Sequence, residues 1–188
     1  MQKPAPQRAG FFFQGKLMTI VTPVIVTQAM TVVVLAVTLF SCRSDIMSLR
    51  IPNTHSVIIL LCFVPAYIAT PPVFEPLWHH LAALLLMFAV TYVMFYTGLM
   101  GGGDAKLASA LALWVGLRGI IPFVFYISLA GGLLAAVTLM IRKKKPFQNP
   151  RAGSWIAEVQ SGKDAIPYGV AISVGVWAVF FHTGLIPH

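Results

Sequence analysis

The sequence predicts an all-α, polytopic membrane protein with about six transmembrane helices. Hydrophobic residues fill 58% of the 188 positions and charged residues only 10%. The mean hydropathy is +0.84, and such a composition does not suit a soluble domain. The apolar residues form runs near the roughly 20 positions that cross a bilayer, and turn-forming or basic residues separate the runs.

A basic tail, 1–16, carries Lys3, Arg8 and Lys16 and leads into the first apolar run at 17–40. That run is too long for the core of a cleaved signal. Leu39-Phe40-Ser41-Cys42 faintly resembles a lipoprotein cleavage box, but Phe40 is too bulky for it. An uncleaved first helix is expected. The following loop, 41–55, holds Asp45 and Arg50-Ile51-Pro52-Asn53. Pro52 bars its predecessor from helical geometry and Asn53 is placed to cap the second run, at 56–70. Thr70-Pro71-Pro72 closes that run. The third run, 79–97, ends before Gly101-Gly102-Gly103-Asp104. The fourth, 105–117, measures only about 20 Å against an apolar core of about 30 Å, so it is expected to start below the membrane surface with Asp104 in a recess. Arg118-Gly119 divides it from the fifth run, 119–141, and a basic loop, 142–165, precedes the last, 166–183. With no internal repeat and no soluble module, 1–188 reads as one membrane-embedded domain.

The formal net charge of +8 and the pI near 9.9 would point to nucleic acid in a soluble chain. Here the cations lie in loops between apolar runs, where they set orientation, and no nucleic-acid partner is expected. Six crossings place the loops at 41–55, 98–106 and 142–165 on one face. Those loops carry Arg43, Arg50, Lys106, Arg142, Lys143, Lys144, Lys145, Arg151 and Lys163, nine of the thirteen basic residues. The positive-inside bias makes that face cytoplasmic. Asp45 and Asp104 share a face whichever way the chain is oriented. The run 142–145 is expected to meet anionic lipid headgroups. Cys42 and Cys62 have no CxxC spacing, and His55, His79, His80, His182 and His188 are scattered. No metal, cofactor, disulfide framework or nucleophilic triad is expected.

Asp45 and Asp104 are two of five acidic residues in the chain, and an ionisable group at membrane depth is costly. Local sequence allows two readings of each. Gly101, Gly102 and Gly103 either form a flexible turn into a helix capped by Asp104 or clear space for an extended strand to reach its carboxylate. Asp45 is either a solvated loop acid paired with Arg43 or Arg50 or half of a carboxyl pair beside an Ile51-Pro52-Asn53 hinge. Lys106 can adjust a carboxylate or steady an intermediate, but snorkelling to the interface is the expected role. Gly131, Gly132, Gly169 and Gly175 fit close helix packing.

The ordered set of Asp45, Ile51-Pro52-Asn53 and Gly101-Gly102-Gly103-Asp104-Ala105-Lys106-Leu107 resembles the type IV prepilin leader peptidases, which are aspartic peptidases of Gly-x-Gly-Asp type. Within that family it is similar to the short branch serving Flp pili of the tight-adherence system, through a segment like Ile166 to Ile172. The resemblance covers roughly residues 25–183. It implies a multi-pass protein of the bacterial inner membrane that cuts after a glycine closing a short, basic leader. Its substrates would be Flp-type prepilins and related pseudopilins, met among membrane lipids. Asp45 and Asp104 would be catalytic, with Arg50, Ile51, Pro52, Asn53, the three glycines and Lys106 in support. Longer family members add a segment with paired CxxC motifs and a methyltransferase activity, and without those cysteines peptidase activity alone is expected.

Two carboxyl groups a few ångströms apart compete for one proton, so one can act as base and the other as acid on a water that attacks the glycyl carbonyl. Deeper burial favours Asp104 as the protonated partner. Paired intramembrane acids and a short broken helix also describe an ion-coupled transporter, although no repeat supports it. A non-catalytic component of a pilus machine would use the aspartates structurally. A presenilin-like protease would share Gly-x-Gly-Asp but lack Ile-Pro-Asn.

Overall fold

The computed structural model describes residues 9–70 and 74–183, with side chains from residue 23. The described residues form α1 (Ala9–Ser48), α2 (Asn53–Ala69), α3 (Leu77–Tyr96), α4 (Gly102–Lys144), α5 (Trp155–Gln160) and α6 (Tyr168–His182). The all-α expectation holds, and α1, α3 and α4 contain stretches long and apolar enough to cross a membrane. α2 and α6 are shorter apolar helices. Large side chains such as Leu61, Leu85, Ile121 and Leu133 stand exposed, as a lipid-facing surface requires.

α4 is two helical limbs joined at Gly116, whose φ of 68° and ψ of 177° break the helix. The chain reverses there. Gly116 lies against Glu75, just before α3, whereas Gly103 lies against Ile51 and Gly131 against Tyr168 and Ala171 at the start of α6. The fourth and fifth apolar runs are therefore these two limbs, 102–115 and 117–144. Arg118-Gly119, expected as the boundary, is already helical, because Gly116 alone adopts the left-handed φ the reversal uses.

The short first limb is the axis of the bundle. Asp104, Ala105 and every residue from Leu107 to Trp114 are buried, packed with Ile59 and Phe63 of α2 and Ile172, Val176 and Phe180 of α6. A helix apolar on all sides belongs in such a position. Polar contacts fix its neighbours: the Trp114 indole N–H donates to the Ile59 carbonyl at 2.9 Å, and Trp177 donates to Thr38 Oγ1 at 2.8 Å. Gly175 allows close packing, since a Cβ there would lie 2.6 Å from Ile127 Cγ1.

Several boundaries differ from expectation. α1 begins at Ala9, within the tail expected over 1–16, of which 1–8 lie outside the described residues. α1 also runs through Asp45 to Ser48, where a loop was expected from 41. Ser41 and Ser48 donate to the carbonyls of Val37 and Ser44 at 2.9 and 2.8 Å, so these hydroxyls are satisfied inside the helix. The helix stops at Leu49, held at φ 52°. Segment 142–165 includes the end of α4 and all of α5, and Arg142 pairs with Asp164. Pro71 and Pro72 lie outside the described residues; Thr70 closes α2.

Candidate active site

Three helix ends meet at one end of the bundle. Asp45 comes from the last turn of α1, Asp104 from the first turn of α4 and Gly169 from the first turn of α6. Asp45 is 3% exposed and Asp104 9%. The Gly169 N–H donates to Asp45 Oδ2 at 2.7 Å. Amides in a first turn have no intrahelical acceptor and form the positive end of the helix dipole, so Asp45 caps α6 from across the bundle. Asp104 is close enough to interact electrostatically with the Asp45 carboxylate and faces the backbone of Gly101 and Gly169. Its Oδ1 has no hydrogen-bond partner among the described residues. No cation pairs with either aspartate among the described residues.

Arg43 and Arg50, the partners of Asp45 in the solvated-loop reading, are both exposed and form no ion pair with it. A buried carboxylate has no route to side chains that point to solvent. Only the Arg50 carbonyl is engaged, by Ser44 Oγ at 2.6 Å. Asn53 does not cap α2; it is the first residue of that helix, after Pro52 at the cap position. Its Oδ1 accepts from Lys106 Nζ at 3.0 Å, so Lys106 ties α4 to α2 instead of snorkelling alone.

The glycines act through missing bulk. Gly102 and Gly103 are already helical and Gly101 is the cap residue, so Asp104 lies inside the first turn and not at the cap. Of the two readings of the glycines, the flexible turn is absent: none of the three adopts a positive φ. A Cβ on Gly101 would stand 2.8 Å from Asp104 Oδ2. One on Gly103 would stand 3.1 Å from both Ile51 Cβ and the Ile51 carbonyl. One on Gly169 would meet Ile51 Cδ1 at 2.6 Å and Asp45 Oδ2 at 2.9 Å. Ile51 is thus a wedge between α4 and α6, seated on two glycines, and it sets how closely the helices carrying the site approach.

The model of the type IV leader peptidase family matches residues 16–136. The chain belongs to that family. The matched region of this family member contains both aspartates and stops before Gly169. A protein described as a prepilin leader peptidase/N-methyltransferase, from Xanthomonas campestris pv. campestris, is 33% identical over 82 residues. That stretch is 44% of this chain and 23% of the relative, so the chain matches less than a quarter of the relative's length. No solved structure matches.

Gly169 is the participant that sequence reasoning assigned only to helix packing. The available signal was its place in the Ile166 to Ile172 segment. Chemically, two close carboxyl groups with no cation between them can hold one proton jointly, giving a donor and an acceptor at one point. Such a pair lets one site accept a proton from water and deliver one to an oxygen.

Proposed function

We propose that this chain is a membrane aspartic endopeptidase that removes the basic leader from Flp-type prepilins and related pseudopilins. The cut follows a glycine at the cytoplasmic face of the bacterial inner membrane. The single observation that carries the reading is the meeting of Asp45 and Asp104, buried and without a cation among the described residues, in a chain of the type IV leader peptidase family. Similarity to the Xanthomonas prepilin leader peptidase/N-methyltransferase supports the substrate class.

In this reading Asp45 is the base. Its Oδ2 accepts from a helix-terminal amide, a partner suited to an ionised oxygen. It takes a proton from water as the water oxygen bonds to the glycyl carbonyl carbon. Asp104, whose Oδ1 is unpartnered among the described residues, donates its proton to the developing oxyanion. Collapse of the intermediate returns the hydroxyl proton to Asp104 and breaks the C–N bond as the proton held by Asp45 passes to the leaving nitrogen; because water is the nucleophile, no acyl-enzyme forms. Gly101, Gly103 and Ile51 position the two helices, and Arg50, Pro52, Asn53, Gly102 and Lys106 support the hinge. Methyl transfer is left out of the activity, because Cys42 and Cys62 form no CxxC pair.

The test is purified protein in detergent with a synthetic Flp-type prepilin peptide, followed by mass spectrometry. The expected products are a leader ending in glycine and a mature peptide with an unmodified amino terminus. An intact peptide, or a cut elsewhere, would overturn the proposal.

A further inference from the structure

The end of the bundle remote from the aspartates holds a half-buried acid, Glu75, whose carboxylate oxygens are shielded from solvent, and the peptidase reading does not use it. A cavity of about 300 Å³ lies between the start of α3, the Gly116 reversal and the end of α6, lined by Phe74, Glu75, His80, Trp114, Arg118 and His182 among others. His80 Nδ1 lies 2.6 Å from the Leu113 carbonyl oxygen. A carbonyl only accepts, so Nδ1 carries the proton and Nε2 presents a lone pair. That nitrogen is buried without a partner among the described residues, on a side chain 2% exposed.

Glu75 adds a second acceptor. Its Oε1 is ion-paired with Arg118 Nε at 2.6 Å, and Oε2 lies 3.3 Å from His79 Nδ1. Neither oxygen receives a well-directed hydrogen bond among the described residues. A Cβ on Gly116 would meet Glu75 Oε2 at 3.1 Å and His80 Cε1 at 3.2 Å, so the carboxylate and the imidazole stand side by side. Phe74 and Trp114, with centroids 6.3 Å apart, provide π faces. Trp114 has committed its N–H to the Ile59 carbonyl. The interior therefore presents acceptors and π faces, while the Arg118 guanidinium, 85% exposed, stands at the rim.

We propose that this cavity binds the headgroup of a zwitterionic aminophospholipid, with its primary ammonium on Glu75 Oε2 and His80 Nε2 and its phosphodiester on Arg118. A primary ammonium has three N–H donors for the two acceptors and suits the aromatic faces. A trimethylammonium headgroup has none, so the site separates ethanolamine from choline lipids. Leu77 and Trp78, exposed at the start of α3, offer the adjoining apolar surface for acyl chains, and tryptophan favours that depth. This inference does not rest on the peptidase reading.

The whole protein is reconstituted in bilayers of equal phosphatidylethanolamine and phosphatidylcholine, extracted in mild detergent, and its retained lipid counted by native mass spectrometry. Wild type is expected to retain phosphatidylethanolamine about tenfold over phosphatidylcholine, as a charge-assisted hydrogen bond implies. Glu75→Gln is expected to bring the two near parity. Arg118→Gln, on an exposed side chain, serves if Glu75→Gln does not fold, and is expected to weaken retention of both lipids. Soluble phosphoethanolamine is expected not to displace the lipid. Equal retention of both lipids by wild type, an unchanged preference in Glu75→Gln, unchanged retention in Arg118→Gln, or ready displacement by phosphoethanolamine would each overturn the proposal.

Discussion

At one end of the bundle Asp45 and Asp104 lie together with no cation beside them among the described residues; at the other, Glu75 is flanked by Arg118 and His79. The glycines differ in the same sense. Gly101, Gly103 and Gly169 keep ordinary backbone angles and make room for carboxylates and for Ile51. Gly116, at φ 68°, supplies a conformation that turns the chain. Burying an acid without compensation destabilises a fold, and pairing it recovers part of the loss. The Glu75 end follows the stabilising course. The Asp45 and Asp104 end does not: the two acids are buried with one backbone amide on Asp45 and no cation among the described residues, as an acid–base site is expected to look.

The largest effect expected from breaking this contrast is at the pair itself. Asp45→Asn or Asp104→Asn should lower leader cleavage about 10³-fold or more, within the range of acid–base catalysis, measured by mass spectrometry of the products. Thermal unfolding in detergent should stay at or above the wild-type temperature. Either variant replaces a buried ionisable group by a neutral amide, and in Asp45→Asn the new amide oxygen would still accept from the Gly169 N–H. Glu75→Gln should lower that temperature and leave cleavage unchanged. Opposite signs at the two ends would sharpen the comparison; the same sign would break it.

Gly169→Ala comes next. Its new Cβ would press on both Ile51 and Asp45, and a displacement approaching 1 Å at a reacting group costs about 10²-fold in rate. The protein should still insert, with cleavage per inserted molecule as the readout. Gly116→Ala should act on stability alone, costing about 1–2 kcal/mol for a side chain in left-handed geometry, seen as a lower unfolding temperature at unchanged cleavage per folded molecule. The smallest effect is at Lys106→Ala, which loses an exposed bond to Asn53. Cleavage rates in this variant should stay within about fivefold of wild type, since an exposed hydrogen bond contributes about 1 kcal/mol or less. A much larger loss would place Lys106 among the reacting groups.

Much of the fold was legible because hydrophobic runs report membrane-length helices directly. Even the two limbs of α4 were separate runs, and only the turning residue, Gly116 in place of Arg118-Gly119, was misplaced. The helical setting of Asp45 was hidden by Ser41 and Ser48, which resemble loop residues until their hydroxyls find helix carbonyls, and by Ser44, whose hydroxyl donates to the Arg50 carbonyl just past the helix. Asp45 and Asp104 stood out as isolated acids. Their third partner did not, since the Gly169 contact joins residues 124 positions apart and a backbone N–H has no residue-type signal. Glu75 and His80 escaped for the same reason: their neighbours come from three separate helices and only folding assembles them.

The account turns on Asp45 and Asp104 acting as one proton-sharing unit. The most direct measurement compares residual prepilin cleavage by Asp45→Asn, Asp104→Asn and the double variant, each checked for insertion and folding, over long incubations with product counted by mass spectrometry. Groups that act as a unit are grossly non-additive. The account predicts that the double variant loses no more than about as much as either single one. Losses that multiply, or single variants that still cleave at near wild-type rates, would contradict it.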